Sequence, residues 1–166
     1  FIIDQWMFLH NGQIGQFEKV KFTLERRLPE ELYIQKRGTT DSELIFLLMI
    51  KNGLYHDPIK AINTTIAEIE SVVQDRGICE PFKASMCISN GDAFWLVRYS
   101  SDKIAPTVFI CRDECNVIVA SEPLDSQHEW EMVESQSIKV IKGASITSYP
   151  MLFPESVLSL RGSEDD

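Results

Sequence analysis

Positive charge is scarce in this sequence. Its 166 residues hold 16 Lys and Arg against 25 Asp and Glu, a net charge of −9. Recognition of a phosphate backbone needs clustered Lys and Arg. Here they are scattered, and Glu25-Arg26-Arg27 is too short to form a patch, so the balance argues against a nucleic-acid partner. Long apolar runs are missing too. The longest, Leu44 to Ile50, is bounded by Glu43 and Lys51 and falls well short of the roughly 20 residues a bilayer-spanning helix requires. No membrane partner is expected. Metal ligands are also few. Cys111 and Cys115 have a C-x₃-C spacing, but no second Cys pair or His pair completes a four-ligand set, so neither a metal nor another cofactor is expected. Cys87 and Cys111 sit inside strand-like apolar runs, where a thiol serves as a small hydrophobe. A reduced, cytoplasmic protein is the expectation. A basic leader is absent as well. The chain opens Phe1-Ile2-Ile3-Asp4, without Met and with a strand-like segment under way, which suggests a portion of a longer polypeptide.

What is present is enough patterned sequence for one domain over 1–160, with an acidic disordered tail at 161–166. Phe17, Val20, Leu24 and Leu28 share one stripe of a helix over 16–28, which Pro29 ends or turns. Thr40 and Glu43 have capping-box spacing and open a second helix over 41–51. Its body is apolar all round, as in a helix sandwiched between layers. Asp57 as N-cap, Pro58 at the first helical position and Gly77 as C-cap bound a third helix over 58–76, with a core stripe of Ile59, Ile62, Ile66, Ile69 and Val73. After Pro81 the pattern turns to strands. Residues 83–89 and 93–99 flank Asn90-Gly91-Asp92, a strong hairpin signal. Residues 107–111 and 117–121 suggest a second hairpin, and 138–142 with 144–149 a third around Gly143. One strand, then helices, then antiparallel strands is an α+β pattern.

The chemistry concentrates at two places. The run Trp6-Met7-Phe8-Leu9 reads as a buried strand that stops at His10-Asn11-Gly12. Asn11 offers a side-chain amide N–H, and Gly12 a backbone N–H with no Cβ to hold a reacting group away. Two donors at one point suit the oxyanion formed when a carbonyl becomes tetrahedral, and one such donor is worth about 3–4 kcal/mol. Gly38-Thr39-Thr40-Asp41-Ser42-Glu43 then sets a carboxylate, Asp41, at the mouth of an apolar helix, where it can pair with an ammonium. Together they suggest an amide substrate that carries its own positive charge.

These segments, Phe8-Leu9-His10-Asn11-Gly12-Gln13-Ile14 and Gly38 to Glu43, resemble the class II glutamine amidotransferases, which are N-terminal-nucleophile hydrolases with a four-layer αββα fold of antiparallel sheets. Val119-Ala120-Ser121-Glu122-Pro123-Leu124, with Trp130 after it, is similar to the compact branch that includes the ergothioneine-pathway γ-glutamyl hydrolase. The resemblance runs from Phe1 to about Tyr149. It implies that Asn11 and Gly12 form the oxyanion hole and that Asp41 binds the α-amino group of the glutamine moiety. It also implies a nucleophile that is an N-terminal Cys whose α-amine serves as base, together with an upstream glutamine-binding Arg. Neither lies in this chain, and none of the four cysteines has a free α-amine. The chain alone is therefore expected to be inactive. Its parent is expected to hydrolyse glutamine or a γ-glutamyl amide, acting alone or supplying ammonia to a separate acceptor subunit.

Ordinary readings stand beside these. Asn11-Gly12 is a common turn after a strand, and Asp41 can serve as a simple cap residue. His10 is read as structural rather than as a base. His56 and His128 are read as surface loop residues, Ser121-Glu122 as a sheet buttress, and Trp95 and Trp130 as packing. A rival function is a non-catalytic glutamate- or glutamine-binding or regulatory module of the same fold.

Overall fold

The computed structural model describes residues 1–102, 104–112 and 116–152. Cys115, the second cysteine of the C-x₃-C pair, and the expected acidic tail at 161–166 lie outside them. The chain divides into two compact units. Among the described residues, one comprises Phe1, Gln13–Phe82 and Leu152; the other comprises Ile2–Gly12 and those from Lys83 to Met151.

The first unit is helical. Helix α1 is Phe17–Glu25, α2 Glu30–Tyr33, α3 Asp41–Lys51 and α4 Pro58–Asp75. Helices α1, α3 and α4 pack on one another. The first helix is shorter than its periodicity predicts. Arg27 and Leu28 donate to the carbonyls of Leu24 and Glu25, a tightening to 3₁₀ geometry that ends the α-helix ahead of Pro29. Helix α3 has the predicted bounds, and every residue from Glu43 to Met49 is buried. The Thr40 Oγ1 accepts from the Glu43 N–H at 3.4 Å. On α4, the Asp57 carboxylate accepts from the Lys60 N–H at 3.0 Å, while Ile62, Ile66, Ile69 and Val73 are buried. No described helix is long and apolar enough to cross a membrane.

The second unit is two antiparallel sheets. Six strands run in the order β1 (Ile2–Ile3), β2 (Trp6–Gln13), β3 (Lys83–Ser89), β4 (Phe94–Ser100), β8 (Ser137–Lys142) and β9 (Ser145–Pro150). Three more run β6 (Val117–Ala120), β5 (Phe109–Arg112) and β7 (Trp130–Met132). The three expected hairpins are all present. In the first, the Asn90 side-chain Oδ1 accepts from the N–H groups of Asp92 and Ala93. Strands β1 and β7 carry too few residues for periodicity to single them out. Leu96 and Ile141 of the larger sheet pack with Val108, Ile110 and Val133 of the smaller sheet and its flanks, and Cys87, Val117 and Ile146 join at the margin. Arg98 clips the sheets together by donating to the carbonyls of Pro106 at 2.8 Å and Val133 at 2.7 Å.

Candidate functional site

Strand β2 alternates as a pleated strand should. Trp6 and Phe8 are buried while Met7 and Leu9 are exposed, so the run expected to be buried throughout is buried on one face only. The Trp6 ring lies 5.4 Å from Trp95, and Phe8 stacks on the His10 imidazole at 6.1 Å. The expected turn at Asn11-Gly12 is not there. Strand β2 continues through Gln13, and Asn11 and Gly12 are consecutive, exposed strand residues.

The reason lies in the glycine. Gly12 has φ +151°, and a Cβ built on it would lie 2.0 Å from the Lys83 carbonyl oxygen and 2.8 Å from His10 Nε2. A side chain would stop strand pairing there; its absence lets pairing continue.

Asp41 is the first residue of α3, in the helical unit. Its Oδ2 accepts from the Ile14 N–H at 3.0 Å, two residues beyond Gly12 in the chain. Its Oδ1 accepts from the Ser42 N–H at 2.7 Å. A carboxylate has about four acceptor positions; the two backbone bonds orient it, the Ser42 hydroxyl donates a third to Oδ1 at 3.3 Å, and capacity for an ammonium remains. Asp41 is half-buried, within reach of solvent.

Glu43 does more than its capping-box spacing predicts. The capping-box pattern marks it, but its carboxylate accepts from the Arg37 N–H at 2.8 Å and the Gly38 N–H at 2.7 Å. This buried carboxylate fixes the loop that leads into Asp41. Lys36 anchors the same loop to α1 through Glu25 at 3.1 Å.

The other marked residues are ordinary. His56 and His128 are exposed, and His128 pairs with Asp125 at 2.9 Å. Ser121 and Glu122 are exposed. Cys79 is exposed, Cys87 partly buried and Cys111 buried. Among the described residues no group of three or more His, Cys, Asp and Glu side chains could hold a metal ion.

No family model matches the chain. The class-II glutamine aminotransferase domain protein of Silicibacter pomeroyi is 33% identical in sequence and superposes with a TM-score of 0.85, over 92% of this chain and 70% of its own. A probable glutamine amidotransferase of Saccharomyces cerevisiae is 27% identical over 206 residues. That match takes in 98% of this chain, which spans 58% of the length of this curated relative. The phosphoribosylpyrophosphate amidotransferase of B. subtilis shares the fold at 14% identity and a TM-score of 0.63, over 89% of this chain and 29% of its own. The fold class is thus the α+β class of the N-terminal-nucleophile hydrolases. Within that class, the chain belongs to the class II glutamine amidotransferase family.

Proposed function

We propose that this chain is the glutamine-handling portion of an amidohydrolase that cleaves the γ-amide of glutamine or a γ-glutamyl compound. The observation that carries the reading is the 33% identity to the Silicibacter pomeroyi protein over 92% of the chain. Asp41 pairs with the substrate's α-ammonium, and its two backbone bonds hold the carboxylate in one orientation. Asn11 Nδ2–H and the Gly12 N–H donate to the carbonyl oxygen as it gains charge. The nucleophile in this reading is the thiolate of an N-terminal cysteine outside Phe1–Asp166. It adds to the amide carbon, ammonia or an amine leaves, and water releases glutamate from the thioester. The nitrogen product is released or passed to a separate acceptor subunit.

A glutaminase assay tests this on a polypeptide that carries an N-terminal cysteine ahead of these residues. Asn11→Ala should lower kcat about 10²–10³-fold, and an unchanged kcat removes Asn11 from the oxyanion site. Asp41→Asn should act chiefly on KM. Residues 1–166 alone should give no turnover; measurable glutamate release by them refutes the external nucleophile.

A further inference from the structure

We infer that Asn90, at the tip of the β3–β4 hairpin, is a site of spontaneous covalent modification. The Gly91 nitrogen closes on the Asn90 side-chain carbonyl to give a succinimide, and water opens the ring to aspartate or isoaspartate. The inference is independent of the glutamine reading.

An asparagine followed by glycine is suited to this closure, because no Cβ crowds the attacking nitrogen. The sequence has three such pairs, Asn11-Gly12, Asn52-Gly53 and Asn90-Gly91. In each the same bonds would change. The backbone nitrogen of glycine bonds to Cγ, the Cγ–Nδ2 bond breaks, and the proton from the backbone nitrogen departs with Nδ2 as ammonia. Water then adds to either ring carbonyl, and no further reactant is required.

The fold treats the three pairs differently. At Asn90 the hydrogen bonds fall on the oxygen. Its Oδ1 accepts from the Asp92 N–H at 3.1 Å and the Ala93 N–H at 3.0 Å, two donors placed where charge gathers when Cγ becomes tetrahedral. These bonds curl the side chain back over the turn, toward the Gly91 nitrogen. The Gly91 N–H donates to the Ser89 hydroxyl at 3.1 Å, a group that can accept one proton and give up another. Gly91 and Asp92 are exposed, and a Cβ on Gly91 would meet no atom within 4 Å, so the ring and the incoming water have room.

At Asn52 the bonds fall on the leaving nitrogen instead. Its Nδ2 donates to Thr65 Oγ1 at 3.0 Å and to Glu68 Oε2 at 2.9 Å. The amide is tied down, and the neighbouring carboxylate opposes negative charge on the attacked carbonyl. The Gly53 N–H is bound to the Ile50 carbonyl at 3.0 Å. Asn11 lies within strand β2, where a side chain stands away from the sheet while the next backbone nitrogen stays in its plane. Attack there requires the strand to leave its ladder.

The test incubates residues 1–166 in warm buffer at pH 8 and follows each Asn-Gly pair by peptide mass spectrometry, with aspartate and isoaspartate separated by retention. Amide exchange of β3 and β4 reports that the fold is intact. Asn90 should convert at least tenfold faster than Asn11 and Asn52, giving both products. In urea sufficient to unfold the chain the three pairs should react at comparable rates, since each then offers only its glycine. Ser89→Ala should slow Asn90 in the folded chain and leave its rate in urea unchanged. Conversion of Asn11 or Asn52 as fast as Asn90 in the folded chain overturns the inference. So does an Asn90 that stays intact while the unfolded chain reacts, or a preference for Asn90 that persists undiminished in urea.

Discussion

Replacing Gly12 by alanine isolates the close approach between β2 and β3. The new Cβ would lie 2.0 Å from the Lys83 carbonyl oxygen, where real Cβ atoms keep at least 3.0 Å. One strand must therefore give by at least about 1 Å, enough to carry a ladder hydrogen bond of ordinary length beyond its range. Losing about two such bonds costs roughly 2 kcal/mol. Holding alanine at φ +151° adds about 1–3 kcal/mol of backbone strain. The sum is about 3–5 kcal/mol, a large share of the 5–15 kcal/mol typical of a domain. With a urea slope near 2 kcal/mol per molar, the denaturation midpoint should fall by about 1.5–2.5 M. Gly53→Ala is the control. Gly53 also has a positive φ, +95°, but a Cβ there meets no atom within 4 Å, so only strain of about 1–2 kcal/mol is expected. Equal losses in the two variants, or a loss below about 0.5 kcal/mol in Gly12→Ala, would show that the approach to Lys83 is not what requires glycine.

Three other perturbations have outcomes set by the geometry. Glu43→Ala leaves the Arg37 and Gly38 N–H groups without their carboxylate and should cost about 2–3 kcal/mol; unchanged Arg37 and Gly38 amide shifts would show that Glu43 does not fix the loop. Glu68 accepts from Lys51 at 2.6 Å and Asn52 at 2.9 Å, with Arg27 3.4 Å away. Burial alone raises its pKa, but the Asn52 and Lys51 hydrogen bonds and the Lys51 and Arg27 charges outweigh this and hold it below the ordinary 4.5. The resulting stability is complete above pH 4.5 and is lost as pH falls through the lowered folded value. Urea titrations should therefore find Glu68→Gln about 2 kcal/mol less stable than wild type at pH 7, with the gap closing below pH 4.5; a gap independent of pH would contradict the assignment. Burial pushes the Cys87 thiol from 9.0 up to about 11, so at pH 8 it holds about a hundredfold less thiolate and iodoacetamide should label it about a hundredfold more slowly than an unperturbed thiol. Equal rates would place Cys87 in solvent.

The helices were legible because their ends carry local chemistry. Thr40 with Glu43, Asp57 with Pro58, and Gly77 each act within a few residues, and α3 and α4 begin where those signals stand. The hairpins were legible for the same reason: Asn90 supplies its own turn bonds, and Gly91 and Gly143 take positive φ. What sequence could not supply is partners distant along the chain. The strand pattern from Trp6 ends in Asn-Gly, a turn signal on its own. That signal loses to Lys83, 71 positions later, whose carbonyl packs against the bare Gly12 α-carbon. Strands β1 and β7 are defined by their neighbours, since two or three residues carry no period of their own.

The same distinction applies to Asp41. Its place after Thr40 predicts a carboxylate at a helix mouth, and the structure puts it there. The spacing does not reveal that one oxygen already holds the Ile14 N–H and the other the Ser42 N–H. Asp41 is thus a tether within the helical unit as well as the proposed ammonium partner, and Asp41→Asn disturbs both. Asparagine can still accept through its single oxygen, but its amide turns an N–H toward a backbone N–H and loses one bond, about 1–2 kcal/mol. That loss appears in the unfolding of the ligand-free chain. The loss of the ammonium partner appears only in KM. A variant that is destabilised with KM unchanged leaves Asp41 a tether alone, whereas a KM that rises by more than the stability loss can account for keeps it in the site.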